Sequence, residues 1–149
     1  MIALAYTEAG EMQERTTEVA MGMDWKLELV PIPVSDVDRA KAFYAEKVGF
    51  NVDLDVNADN DHRVSDEMRV VQLTPPGSAC SIAFGTGIVD TPPGSVQALH
   101  LVVSDINAAR AELVERGVEV GEVQDLGGVL YASFSDPDGN GWALQQLPY

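Results

Sequence analysis

The chain has 149 residues, 46% of them hydrophobic, which suffices for one well-formed core and not for two large independent domains. Its 24 acidic residues against 9 basic ones leave a formal charge of −15, which repels nucleic-acid phosphates and anionic lipid heads, so neither is expected as a partner. The lone Cys80 can form no intrachain disulfide, and a cytoplasmic location is the simplest expectation.

The opening "MIALAYTEAGEMQERTTEVAMGM" has no basic n-region, and its apolar start breaks at Glu8. It reads as an extension over residues 1–23, loosely docked on a single domain spanning 24–149. The first strand signal, "LELVPIP", runs into "VSDVDRAKA" at 34–42. There Val37, Ala40, Phe43 and Tyr44 recur at helical spacing, Ser35 or Asp36 can cap the first turn, and Gly49 can end the last. The spacing predicts a helix over 36–47, followed by strands at "FNVDLDV", "MRVVQLT" and "CSIAFG". A Gly- and Pro-rich linker, "TGIVDTPPGS", comes next.

The same order then begins again. "QALHLV" leads into "VSDINAARA" at 103–111, where Ile106, Ala109, Leu113 and Val114 are helically spaced between Ser104 or Asp105 and Gly117. A helix over 105–116 and strands at "VEVGEV", "LYASFS" and "WALQQL" follow. Two βαβββ modules, over about 25–88 and about 96–147, each expose one apolar sheet face that cannot close a core alone. The fold class is therefore α+β, with the two modules forming a cupped eight-stranded mixed sheet.

Several local signals have bland readings. Trp25, Trp142, Phe43 and Tyr44 sit at patterned positions and are expected in the core, and Cys80 as a small buried hydrophobe on its strand. "DVNADNDHRVSD" spaces Asp55, Asn57, Asp59 and Asp66 like a calcium loop but has Asn60 where a glycine is needed, so it reads as a solvated acidic rim. "DPDGNGWALQQL" carries Leu147 where a bidentate Glu is required, so it reads as a turn and a strand.

The combination of "AFY…GF" after helix 1 with "DPDGN" before the last strand, over residues 25–147, resembles the vicinal oxygen chelate superfamily. Its members include glyoxalase I, extradiol dioxygenases, fosfomycin-resistance enzymes and bleomycin-binding proteins. The resemblance implies a glyoxalase-like fold, a ligand cavity inside a cupped sheet and a homodimer. It also implies where a metal would sit in the metal-dependent members: counting from Asp36 gives Leu29, its repeat partner is Ala98, counting from Asp136 gives Ala143, and the fourth-strand match is Ala83. None of these four can donate a lone pair, so no metal and no other cofactor is expected, against the pattern of the metal-dependent members.

What remains for a cup is Leu29, Pro31, Ser81, Ala83, Ala98, His100, Ala143 and Gln145, with Leu27 beyond the strand start. Alternation places His100 on the face of Ala98, Gln145 on that of Ala143 and Ser81 on that of Ala83. His100 is the candidate acid–base group. A register slip of one residue would turn it onto the helix as a core histidine, and the inward side chains could fill the cup themselves. Two functions stay open: a metal-free protein holding a small apolar or weakly cationic molecule, or a lyase, isomerase or dioxygenase-like enzyme using His100, with or without a divalent metal held elsewhere.

Overall fold

Two aspartates open the two helices of the fold. In a computed structural model that describes residues 22–57 and 68–149, and the backbone of two short strands nearer the N-terminus, Asp36 Oδ1 accepts from the Arg39 N–H at 3.1 Å. Sixty-nine residues on, Asp105 Oδ1 accepts from the Ala108 N–H at 3.0 Å. Each carboxylate satisfies an amide that the first helical turn leaves unpaired. Helix α1 runs over Val37–Ala42 and continues as a π-helical turn, Phe43–Val48, while α2 spans Ile106–Glu115. Gly49 and Gly117 follow at φ 94 and 89, the left-handed geometry that a side chain would strain.

Strands β1 (Leu4–Tyr6) and β2 (Met12–Glu14) pair as an antiparallel ribbon. The expectation of a loosely docked tail otherwise lies outside the described residues, as do Asp59, Asn60 and Asp66 of the acidic rim. One sheet has the order β3-β6-β5-β4, from β3 (Leu29–Pro31), β4 (Asn51–Asn57), β5 (Arg69–Thr74) and β6 (Ser81–Gly85). The other has the order β7-β10-β9-β8, from β7 (Leu99–Val102), β8 (Gln124–Leu126), β9 (Val129–Ser135) and β10 (Gly141–Gln146). In each, the strand before the helix lies parallel to the module's last strand, and the rest are antiparallel. The fold is α+β, two βαβββ modules whose eight strands form two four-stranded mixed sheets.

Sequence alternation misleads at "VEVGEV". Residues 118–123 form no regular strand: the Gly121 N–H donates to the Ser133 carbonyl of β9 at 2.8 Å, but the continuous ladder with β9 starts at Gln124. The Arg110 guanidinium donates to the carbonyls of Val120 at 3.1 Å and Gly121 at 2.7 Å, so a helix side chain takes the acceptors that a ladder would have used.

The core sits where α1 is held between the packed faces of both sheets. Tyr44 lies 5.8 Å from Phe84 of β6 and 5.8 Å from Trp142 of β10, and Phe43 lies 6.4 Å from Phe134 of β9, measured between ring centroids. A helix covered on two sides can bury two adjacent aromatics, which is why both face inward. Helix α2 is covered on one side only, and Val114, expected on its apolar stripe, is exposed. Trp25 also departs from expectation: it is 88% exposed. Met23, Trp25 and Leu27 keep the period-two pattern of a strand, but the last described tie to the sheet is the Ser81 N–H on the Glu28 carbonyl at 2.9 Å. Cys80 is half-buried just before β6, not within a strand.

The "DPDGN" turn locks the modules together. Asp136 Oδ1 accepts from the N–H groups of Asp138 and Asn140, both at 2.9 Å, and Oδ2 accepts from Tyr44 Oη at 2.7 Å and Asn140 Nδ2 at 2.8 Å. Trp142 Nε1 donates to Tyr44 Oη at 2.9 Å, and Asn140 Nδ2 also reaches the Pro33 carbonyl at 2.8 Å. Every polar atom of this buried group has a partner, as a dry site requires. Desolvation, together with the Asp136 carboxylate, pushes the Tyr44 phenol far above its ordinary range.

Candidate functional site

Alternation gives each sheet one packed and one open face. Val71, Leu73, Ile82 and Phe84 of the first sheet, and Ala132, Phe134, Trp142 and Leu144 of the second, are buried on the α1 side. The opposite faces therefore look away from the shared core. On the first, register brings Leu29 beside Ser81 and Pro31 beside Ala83, with Gln72 next to Ala83 and Leu54 next to Gln72. Ser81 and Ala83 are buried because they are short side chains on an inner strand, and the Ser81 hydroxyl shares a hydrogen bond with Thr74 Oγ1 at 2.6 Å. Asp53 accepts from the same threonine.

The second open face carries more polar chemistry. His100 stands beside Ala143 and Ala143 beside Ser133, while Gln145 stands between Val102 and Tyr131. Gln145 Nε2 donates to Tyr131 Oη at 3.1 Å, and the Tyr131 and His100 rings meet edge to face with centroids 5.9 Å apart. His100 Nδ1 lies 2.7 Å from the Ala98 carbonyl. With its proton there it donates to that oxygen, and Nε2 is left as an acceptor.

The sequence-derived residues thus fall into two groups: Leu29, Pro31, Ser81 and Ala83 on one open face, and His100, Ala143 and Gln145 on the other. His100 is exposed on this face and does not pack under α2. Ala98 is in neither group. Its φ of 63 puts it in the left-handed region ahead of β7, so counting side chains in twos from Ala98 fails, although its carbonyl holds the histidine. Leu27 projects from the segment upstream of β3. Sequence reasoning missed Tyr131, Gln72 and Thr74. For Tyr131 the signal was present, since in "LYASFS" the positions alternate with the buried Ala132 and Phe134.

The positions that the resemblance marks for a metal do not fit one. Leu29, Ala83, Ala98 and Ala143 offer only hydrocarbon, and among the described residues no three His, Cys, Asp or Glu side chains converge. Asp55, a member of the calcium-like spacing, is occupied otherwise. It accepts from Arg69 Nε and Nη2 at 3.0 and 2.9 Å and from Lys41 Nζ at 2.8 Å, and these hydrogen bonds, those of Arg69 foremost, hold its carboxyl well below the usual carboxylate range.

Two βαβββ modules, each with one packed and one open sheet face, define a class of fold, and comparison with known proteins agrees with it. Residues 26–144 match the model of the Glyoxalase/Bleomycin resistance protein/Dioxygenase superfamily, and the chain belongs to that family. Among solved structures, it is similar to TnmS3, an antibiotic binding protein from Streptomyces sp. CB03234, with 35% identity and a TM-score of 0.72 over 83% of this chain and 97% of that one. It is similar also to a glyoxalase/bleomycin resistance protein from the same organism, with 36% identity and a TM-score of 0.69 over 81% of this chain and 100% of that one. A superfamily member from Sphaerobacter thermophilus DSM 20745 follows at 29% identity and a TM-score of 0.66, over 83% and 98% of the two chains. No curated protein matches.

Proposed function

We propose that this protein is a metal-independent binding protein that holds a small apolar or weakly cationic molecule against its open sheet faces, inside a cup completed by a second copy of the chain. The observation that carries the reading is the chemistry of those faces. Hydrocarbon stands where a metal would need donors, at Leu29, Ala83 and Ala143, and beside it are an edge-on aromatic pair, His100 and Tyr131, and the amide of Gln145. A mostly apolar wall with a few placed polar groups is the usual make-up of a small-molecule site. The antibiotic-binding TnmS3, at 35% identity, makes antibiotics the first ligands to try.

The second copy follows from where the halves lie. Each chain turns its two open faces away from the shared α1 core, and Leu54, Val56 and Val102 on them are exposed. A twofold dimer sets the first face of one copy against the second face of the other, twice, and closes two cups. A formal charge of −15 favours the approach of cationic ligands, and a cytoplasmic location suits a chain with one cysteine.

The test is calorimetric titration of an antibiotic panel into the chelator-treated 149-residue protein. Saturable binding without added metal, weakened at least tenfold by Tyr131→Ala, is the expected result. Binding that appears only on adding a divalent ion overturns the reading, and so does turnover of a ligand that disappears in His100→Ala.

A further inference from the structure

At the junction of the modules the chain carries a half-open pocket, with Val102 of the second open face at its edge. Its volume is about 190 Å³, and its walls include Val48 and Phe50 of the first module with Leu101, Ala109, Leu113 and Leu144 of the second, under a roof made by Pro75 and Pro76. A mostly apolar pocket of this size has room for a benzene-sized body, with polar groups at its mouth to orient it. Only two charged side chains line it, Arg116 and Glu112, both from α2 or its last turn and both partly exposed.

The arginine is only lightly engaged. Its Nη1 donates to the Lys47 carbonyl at 3.3 Å, and its Nη2 stands 4.0 Å from Glu112 Oε2, too far for a hydrogen bond. A planar guanidinium with donors to spare beside a mostly apolar pocket matches a carboxylate attached to a compact apolar body. In a chain of net charge −15, Arg116 is, among the described residues, the one cationic side chain that lines this pocket, and it is the group an anion would pair with there.

We infer that this junction cavity is a binding site for a small monocarboxylate with a phenyl or short alkyl body of about six to eight carbons, its carboxylate paired with Arg116 and its body among Phe50, Leu101, Leu113 and Leu144. The pocket shares Val102 with the edge of the second open face, but its other walls are separate from the proposed cup, since none of Leu29, Ser81, Ala83, Tyr131 or Gln145 lines it.

The experiment follows methyl chemical shifts of the 149-residue chain during titration with benzoate and hexanoate. Expected are saturable shifts at Ala109, Leu101, Leu113 and Leu144, and at least tenfold weaker binding of benzamide and hexanamide. Arg116→Gln changes an exposed residue and keeps the fold; it should weaken the acids tenfold or more and leave acid and amide alike. Ala109→Leu, which fills the cavity, should abolish both. Three results each overturn the inference: no saturation at millimolar acid in the unmodified protein, acid affinity indifferent to Arg116→Gln, or acid affinity lost on Tyr131→Ala, which would move the ligand to the open face.

Discussion

The two faces of each sheet could hardly be treated more differently by one chain. On the α1 side, Tyr44 and Phe84 have no exposed surface, and a carboxylate, a phenol, an indole N–H and an amide satisfy one another around Asp136. On the open side Val102 is 60% exposed, and His100, Tyr131 and Gln145 hold one another loosely on a face without a cover. Stability is concentrated on the packed side, which leaves the open side free to keep surface for another molecule. Substitutions should therefore sort by face.

The largest effect belongs to the packed side. Tyr44→Phe removes the acceptor for Trp142 Nε1 and one donor to a buried carboxylate, and should cost about 3 kcal/mol in urea unfolding. Tyr131→Phe, which loses one hydroxyl contact on the open face, should stay within about 0.5 kcal/mol. If the two cost the same, the contrast between the faces fails. Tyr44 also gives the contrast a pH signature. Its native pKa is raised, so the stability it contributes is complete below the ordinary phenol value of about 10 and is lost above it, where the unfolded chain can release the proton and the native one cannot. Tyr44→Phe should flatten that alkaline decline.

Asp55 comes next. Asp55→Asn breaks its contacts with Arg69 and Lys41 on the α1 side and should cost about 2 kcal/mol. Here the native pKa is depressed, so the contribution is full above the ordinary carboxylate value and fades as pH falls below it toward the lower native value. Asp55→Asn should therefore flatten that acid decline, read by comparing urea unfolding of the variant and of the unmodified chain between neutral and acid pH. The smallest effect on stability is that of His100→Ala, within about 0.5 kcal/mol because the side chain is exposed, with its influence seen in ligand affinity instead.

The fold was legible because its signals are local and doubled. Asp36 and Asp105 announce their helices, Gly49 and Gly117 end them, and the same spacing occurs twice. The errors arose where tertiary partners override local pattern. Arg110 takes the carbonyls of residues 120 and 121, which leaves only the Gly121 N–H for β9, and Trp25 keeps strand periodicity with no described strand beside it. The "DPDGN" turn was legible as a turn and not as the lock between modules, since Tyr44, 92 residues away, is what makes Asp136 structural. For the candidate site, parity located the two open faces, yet nothing local could show that α1 would hold them apart within one chain, or that Ala98 would leave the strand at a positive φ.

The claim on which the rest depends is that the two open faces are halves that a second copy completes. Light scattering on the 149-residue chain, coupled to size exclusion across a range of concentrations, tests it directly. The expected mass is twice the 16.0 kDa of one chain, falling toward one chain on substitution of Val102 by Glu. A single 16.0 kDa species at every concentration would contradict it.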